Sequence, residues 1–444
     1  MTMTPGLEPL AGRARKTIQG PSAGGSSTLE PTRTWLRVQV LNVKRHAQAL
    51  RPFQLDEFGK GAAAPSPGHI QAVNTIMSQL GRGLAVRIEA VRKAALAASG
   101  NPTPQRLRAV VVSGELAHES VRASEQVWDW YFEFFGQRQS RYADWLLACD
   151  RIALDVYQDV YMGLGRPASI PAPAPMAFMR TGLSPATFRR DVRLRRLGNQ
   201  LNPFPIVQLP YHRLVNPWTL GAILHEISHN LQNEVGLDTA ARAGVSRRLS
   251  EAKVPAAVVQ TWARWHRETF ADMLALLLGG PAIVASLIDV LARGPASVTT
   301  YNPRGVHPLP LLRTRISTEL LARMGFVGDA RNYRRLWDTT YAGTQPSAPD
   351  SLLRTASTCI PIVVDALCFT PYAALGGVPL AAVFMFGDKH QAMVAEAGER
   401  LARGTDPGIV PERFLIGASR YALDHRLAPA ETIADAFYRD LSRR

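Results

Sequence analysis

The stretch LHEISHN, residues 224–230, sets two histidines four apart with a glutamate directly after the first. On a helix, residues i and i+4 share a face. His225 and His229 would then offer two imidazoles to one ion, with Glu226 beside them to reach a water held there. The chemistry this predicts is zinc-assisted hydrolysis, because a catalytic zinc lowers the pKa of its water to about 7 and a neighbouring carboxylate can take the proton. Such a site needs three protein ligands, and the pair supplies two. Without a third, the pair reads as two partly exposed histidines bonded to backbone.

A third ligand is available downstream. VPAAVVQTWARWHRETFADMLALLLGG, residues 254–280, has the apolar periodicity of a strong helix and carries Glu268 and, four residues on, Asp272. Two carboxylates on one face of so apolar a helix are costly to bury unless each is paired. Glu268 as metal ligand and Asp272 as the partner of a ligating histidine explain each other. The first segment, NPWTLGAILHEISHNLQNEVG (216–236), is predicted as one helix, with Asn216 as cap, Pro217 in the first position and Gly236 as stop.

The order HExxH, then a separate helix bearing ExxxD, resembles the gluzincin zinc peptidases. ETFADMLALLLGG is similar to the corresponding helix of the HtpX and CAAX-prenyl endopeptidase family, and VHPLPLLRTRI matches a His-Pro, Arg-Ile pattern that follows it there, through His307, Pro308, Arg313, Arg315 and Ile316. The resemblance spans about residues 203–320. It implies a zincin-like catalytic core with a small β-sheet and two active-site helices, and a peptide or protein substrate. Metal ligands would be His225, His229 and Glu268, with Asp272 behind them and Glu226 as general base. The tetrahedral oxyanion needs a further donor, for which His307, Arg313, Tyr211 and His212 are candidates; His307 is assigned a catalytic role. FPIVQLPYHRL (204–214) alternates as a strand, and Pro205 and Pro210 assign it to a sheet edge, where a peptide could add as a further strand.

Around this core the chain reads as mainly α (α+β). Residues 1–34 form a flexible leader rich in Gly, Ser, Pro and Thr, 35–165 an N-terminal helical domain, 166–180 a proline-rich linker, 181–325 the peptidase core and 326–444 a C-terminal helical region. TWLRVQVLNV (34–43) is predicted as a short strand. The aromatics Trp128, Trp130, Tyr131, Phe132, Phe134, Phe135 and Trp145 are assigned to helix packing, and FRRDVRLRR (188–196) to a solvated face.

Composition excludes several classes. With 46% hydrophobic and 20% charged residues the 444-residue chain is globular over most of its length. The net charge of +15 is carried by Arg, since Lys occurs only at 16, 44, 60, 93, 253 and 389; no nucleic-acid motif accompanies it. Cys149, Cys359 and Cys368 are odd in number without CxxC spacing, which predicts no disulfide framework and a reducing, cytoplasmic setting. The apolar stretches from Met273 and from Cys359 are broken by Gly, Pro and Asp, and both are expected as buried helices rather than membrane spans. A non-catalytic metal-binding interaction protein and a membrane-associated peptidase are the competing readings.

Overall fold

The two helices that carry the histidines and the carboxylates lie side by side in the computed structural model, which describes residues 30–164, 169–194, 198 and 200–444. Helices α1 Glu30–Ala49, α2 Pro67–Gly100, α3 Pro104–Gly136 and α4 Ala143–Gly163 come first. Strands β1 Met176–Arg180, β2 Ala186–Phe188 and β3 Ile206–Pro210 follow. Then come α5 Tyr211–Val215, α6 Gly221–Glu234, α7 Asp238–Glu251, α8 Ala256–Gly279, α9 Pro281–Leu291, α10 Pro295–Thr299 and α11 Pro310–Arg323. The chain ends with α12 Val327–Thr340, α13 Asp350–Cys368, α14 Leu380–Phe384, α15 Asp388–Ala402, α16 Phe414–Asp424 and α17 Ala430–Arg443. At 69% helix and 4% strand the protein is mainly α, as its periodicity predicts, with one small sheet, as the resemblance implies.

Contacts divide the chain into two compact units. Among the described residues the first comprises 30–49 and 81–122, and its small core joins Leu36, Ala95, Ala98 and Val110, with Val43, Val91 and Ala117 beyond. The predicted strand at 34–43 lies here and is helix. Leu36 and Val43 are the buried positions of α1, two turns apart, so a helical stripe satisfies the same apolar residues that read as alternation. Of the predicted leader, residues 1–29 lie outside the described residues and 30–34 belong to α1.

The second unit, 50–80 and 123–444, holds the sheet and the histidine pair. Its strand order is β1-β3-β2, with β1 parallel and β2 antiparallel to β3. The predicted edge strand is therefore central. Pro205 lies just before β3 and Pro210 at its last position, where a missing N–H does not interrupt the ladder, so the prolines do not force an edge. Both outer strands pair with β3 alone among the described residues. The outer side of β1 is taken by bonds of Ala177 and Met179 with Gln137, Arg138 and Asp150, which leaves the edge of β2. Met176–Arg180, assigned from sequence to the linker, is β1; residues 166–168 of that linker lie outside the description.

Two hydrophobic cores support the second unit. Phe134, Phe135, Tyr131 and Trp130 pack with Phe178 and Phe204 against the sheet, as the helix-packing reading of the aromatics expects, while Phe132 is exposed and stacks on Trp128. Trp145 packs instead on Tyr438. In the larger core α8 is buried almost all round, which is why its sequence is nearly continuously apolar after Thr269. Gly280 ends it at φ +70°, and Pro281 opens α9 in the position where no N–H is needed. One described helix, α13, is long and apolar enough to cross a membrane by length and composition; half of the relevant window is buried within the protein.

Candidate metal centre

The segment 216–236 is not one helix. Pro217–Thr219 forms a 3₁₀ turn before α6 begins at Gly221, and the Asn216 amide donates to the His212 carbonyl rather than capping. Gly236 does fall just past the helix, at φ +72°. The offset leaves the histidine spacing intact. His225 and His229 face each other edge to face, ring centroids 4.7 Å apart and Nε2 atoms 3.2 Å apart.

Glu268, on α8, meets both. Its Oε2 lies 3.3 Å from His225 Nε2 and 3.4 Å from His229 Nε2. One donor atom from each of the three residues falls within 4.8 Å of the others, a group that could hold a metal ion. Three imidazole nitrogens, of His225, His229 and His307, lie within 3.4 Å of buried Glu268 Oε2, yet none is directed well enough to count as its hydrogen bond. A buried acceptor crowded by imidazoles without a well-formed bond is what a shared cation would satisfy.

Asp272 stands one turn further along α8. Its Oδ1 is 2.8 Å from His225 Nδ1, which leaves Nε2 of that ring free to face the convergence point. Arg313, from α11, donates to the other side of the same carboxylate through Nε at 2.6 Å and Nη2 at 2.8 Å. Burial pushes the Asp272 carboxyl up, but the Arg313 charge and His225 outweigh it and hold it down at about 2. For His225 burial lowers the pKa, and the Asp272 charge and hydrogen bond, with Glu268, carry it up to about 10. Burial would also raise Glu268, yet the close imidazoles of His225, His229 and His307 hold it far below the usual carboxylate range. Glu226 moves the other way: burial raises it, and the charges of His225 and His229 only partly offset that. Neighbouring carboxyls with opposed shifts suit opposed roles, one a fixed anion and the other a proton acceptor.

Glu226 lines two cavities that share His225, His307 and Pro185. One, of about 110 Å³, is walled by Ala222, Ala275, Leu276 and Ile283; the other, of about 370 Å³, is polar and open, and runs past Thr187 and Gln232. His307 enters both from the loop between α10 and α11, exposed, with Nε2 3.0 Å from Glu268 Oε2. It is not one of the three converging donors.

The remaining oxyanion candidates fare differently. Arg313 lines the smaller cavity, but it is buried and its hydrogen bonds go to Asp272, so it backs a histidine. Tyr211 packs against Tyr142 at 5.6 Å, and neither it nor His212 lines the two cavities. The basic run contributes ties as well as surface: Arg190 donates to the carbonyls of Pro171, Ala172, Pro173 and Pro203, while residues 195 and 196 lie outside the description.

Two positioning contacts escape sequence reasoning. Asn230 donates from α6 to Thr187 Oγ1 at 2.8 Å and so sets β2 beside the histidines; a three-residue strand gives no periodic signal. Arg264 donates to the Gly305 carbonyl at 3.1 Å and tethers the His307 loop to α8. Its position one turn before Glu268 is the signal that could have found it. No protein-family model matches the chain, and no curated protein or solved structure matches it either.

Proposed function

We propose that the chain is a zinc-dependent peptidase. The observation that carries this reading is the convergence of His225, His229 and Glu268, backed by the Arg313–Asp272–His225 relay and flanked by a buried glutamate with a raised pKa. The donor set fits zinc: two imidazoles and one carboxylate leave a coordination position open, whereas structural sites close all four with protein ligands. The resemblance to gluzincins points the same way. Bound zinc would supply Lewis acidity and an activated water.

The chain's own residues do the rest. Asp272, 2.8 Å from His225 Nδ1, fixes the tautomer and orientation of that ring, and Arg313 fixes Asp272. Glu226 takes the proton of the attacking water and returns it to the leaving amine. We assign oxyanion stabilisation to His307, since Arg313 is engaged elsewhere. A peptide substrate adds to the free edge of β2, which runs along the open cavity through Ala186 and Thr187.

The test uses purified full-length protein and an unfolded protein substrate. Glu226→Gln should retain zinc and lose turnover by roughly 10²–10⁴-fold, while Glu268→Ala should lose both. Full activity in Glu226→Gln would refute the mechanism.

A further inference from the structure

The first compact unit carries charge out of proportion to its size. Its described residues, 30–49 and 81–122, hold eleven Lys and Arg against four Asp and Glu, whereas the whole of 50–80 and 123–444 holds 37 against 31. All eleven cationic side chains are exposed. The same unit exposes large apolar side chains, among them Trp35, Val38 and Leu41 on α1 and Val111, Val112 and Leu116 on α3. Trp35 and Val111 face a common open groove with Leu107 and Arg108, so the two helices share one mixed surface there.

We infer that this unit docks on an anionic lipid surface. Basic helices that also present Trp, Leu and Val bind bilayers by two additive terms: attraction of Lys and Arg to acidic headgroups, and burial of apolar side chains at the acyl boundary. Arg and Lys suit this because their stems lie along apolar surface while their charges reach the phosphates. Other occupants match only half of the surface. A nucleic acid would neutralise the cations but leave Val38, Leu41, Val111 and Val112 in water, at exposures of 38%, 48%, 52% and 55%. A second copy of the unit would cover the apolar groups but bring like charges together. The surface is independent of the candidate metal centre, which belongs to the other unit.

The experiment is co-sedimentation of the full-length protein with phosphatidylcholine vesicles, with and without about 30% phosphatidylserine, from about 0.05 M to about 0.5 M salt. Acidic vesicles should bind at least about tenfold more tightly than neutral ones, with the difference shrinking as salt rises. Arg33→Glu/Arg37→Glu/Arg108→Glu should remove the preference. Trp35→Ala/Leu41→Ala, which leaves the charge unchanged, should weaken binding at every salt concentration, and brominated acyl chains should quench wild-type tryptophan emission more than that of this variant. All three side chains of the first variant and both of the second are exposed, so each should melt as wild type does. Equal binding to neutral and acidic vesicles, no binding at low salt, or displacement of the vesicles by RNA or duplex DNA with no effect of the Trp35/Leu41 change would overturn the inference.

Discussion

At the scale of single residues, the site depends on a buried carboxylate held between an imidazole and a guanidinium. Asp272 contacts His225 on one side and accepts from Arg313 on the other, with Asp272 and Arg313 buried and His225 partly so. Replacing it with alanine leaves a buried guanidinium without a counter-charge, a loss of about 3–5 kcal/mol. It also frees the His225 ring, which should weaken metal affinity about 10–100-fold. Chemical denaturation and zinc competition against a chelator measure the two effects separately. The positions of His225, Glu226, His229, Glu268 and Asp272 were legible because helical spacing decides which residues share a face. Arg313 was legible only as one name among four. Its partner lies 41 residues away, and nothing in local pattern distinguishes an arginine aimed at a substrate from one aimed at a carboxylate.

Among the elements, α8 is the beam on which the others are set, and two contacts at its flanks are testable. Near its middle, Arg267 and His266 hold Asp238 at the start of α7, and the Arg267 hydrogen bond is the main cause of lowering the Asp238 carboxyl to about 2. A carboxylate depressed on folding stabilises the native state above its unfolded pKa of about 3.9, and the gain is lost as pH falls through the folded value. Asp238→Asn should therefore melt below wild type at pH 7, with the gap closing between about pH 4 and pH 2; parallel melting curves check this. At the end of α8, a Cβ on Gly280 would lie 2.4 Å from Phe386 Cε1 in addition to straining φ +70°. Gly280→Ala should cost about 1–3 kcal/mol, read by urea denaturation. Helices of this length announced themselves through periodicity, but α1 did not, and of the sheet only β3 did. The residues of α1 satisfy a strand pattern and a helix stripe alike until a neighbour is present to receive Leu36 and Val43. The order of β1, β3 and β2 is settled by pairing between distant segments, which no local sequence encodes.

Across the whole molecule, the three cysteines lie buried and unpaired, each within the larger core. Burial raises the thiol pKa of all three, which makes them poor nucleophiles. An aqueous thiol reagent should label none in the native protein and all three after unfolding, and a reductant should leave the melting temperature unchanged. The concentration of positive charge in one unit was invisible in the overall net charge, because the boundary that separates 81–122 from the rest runs through α2 and α3 instead of a linker. The central claim is that His225, His229 and Glu268 bind one zinc ion between them, and metal analysis of the purified chain tests it most directly. Wild type should carry one zinc per chain with a nitrogen and oxygen shell by X-ray absorption, and Glu268→Ala and His229→Ala should each lose it while still folding. A wild-type protein that binds no zinc, or one whose zinc content is unchanged in both variants, would contradict the account.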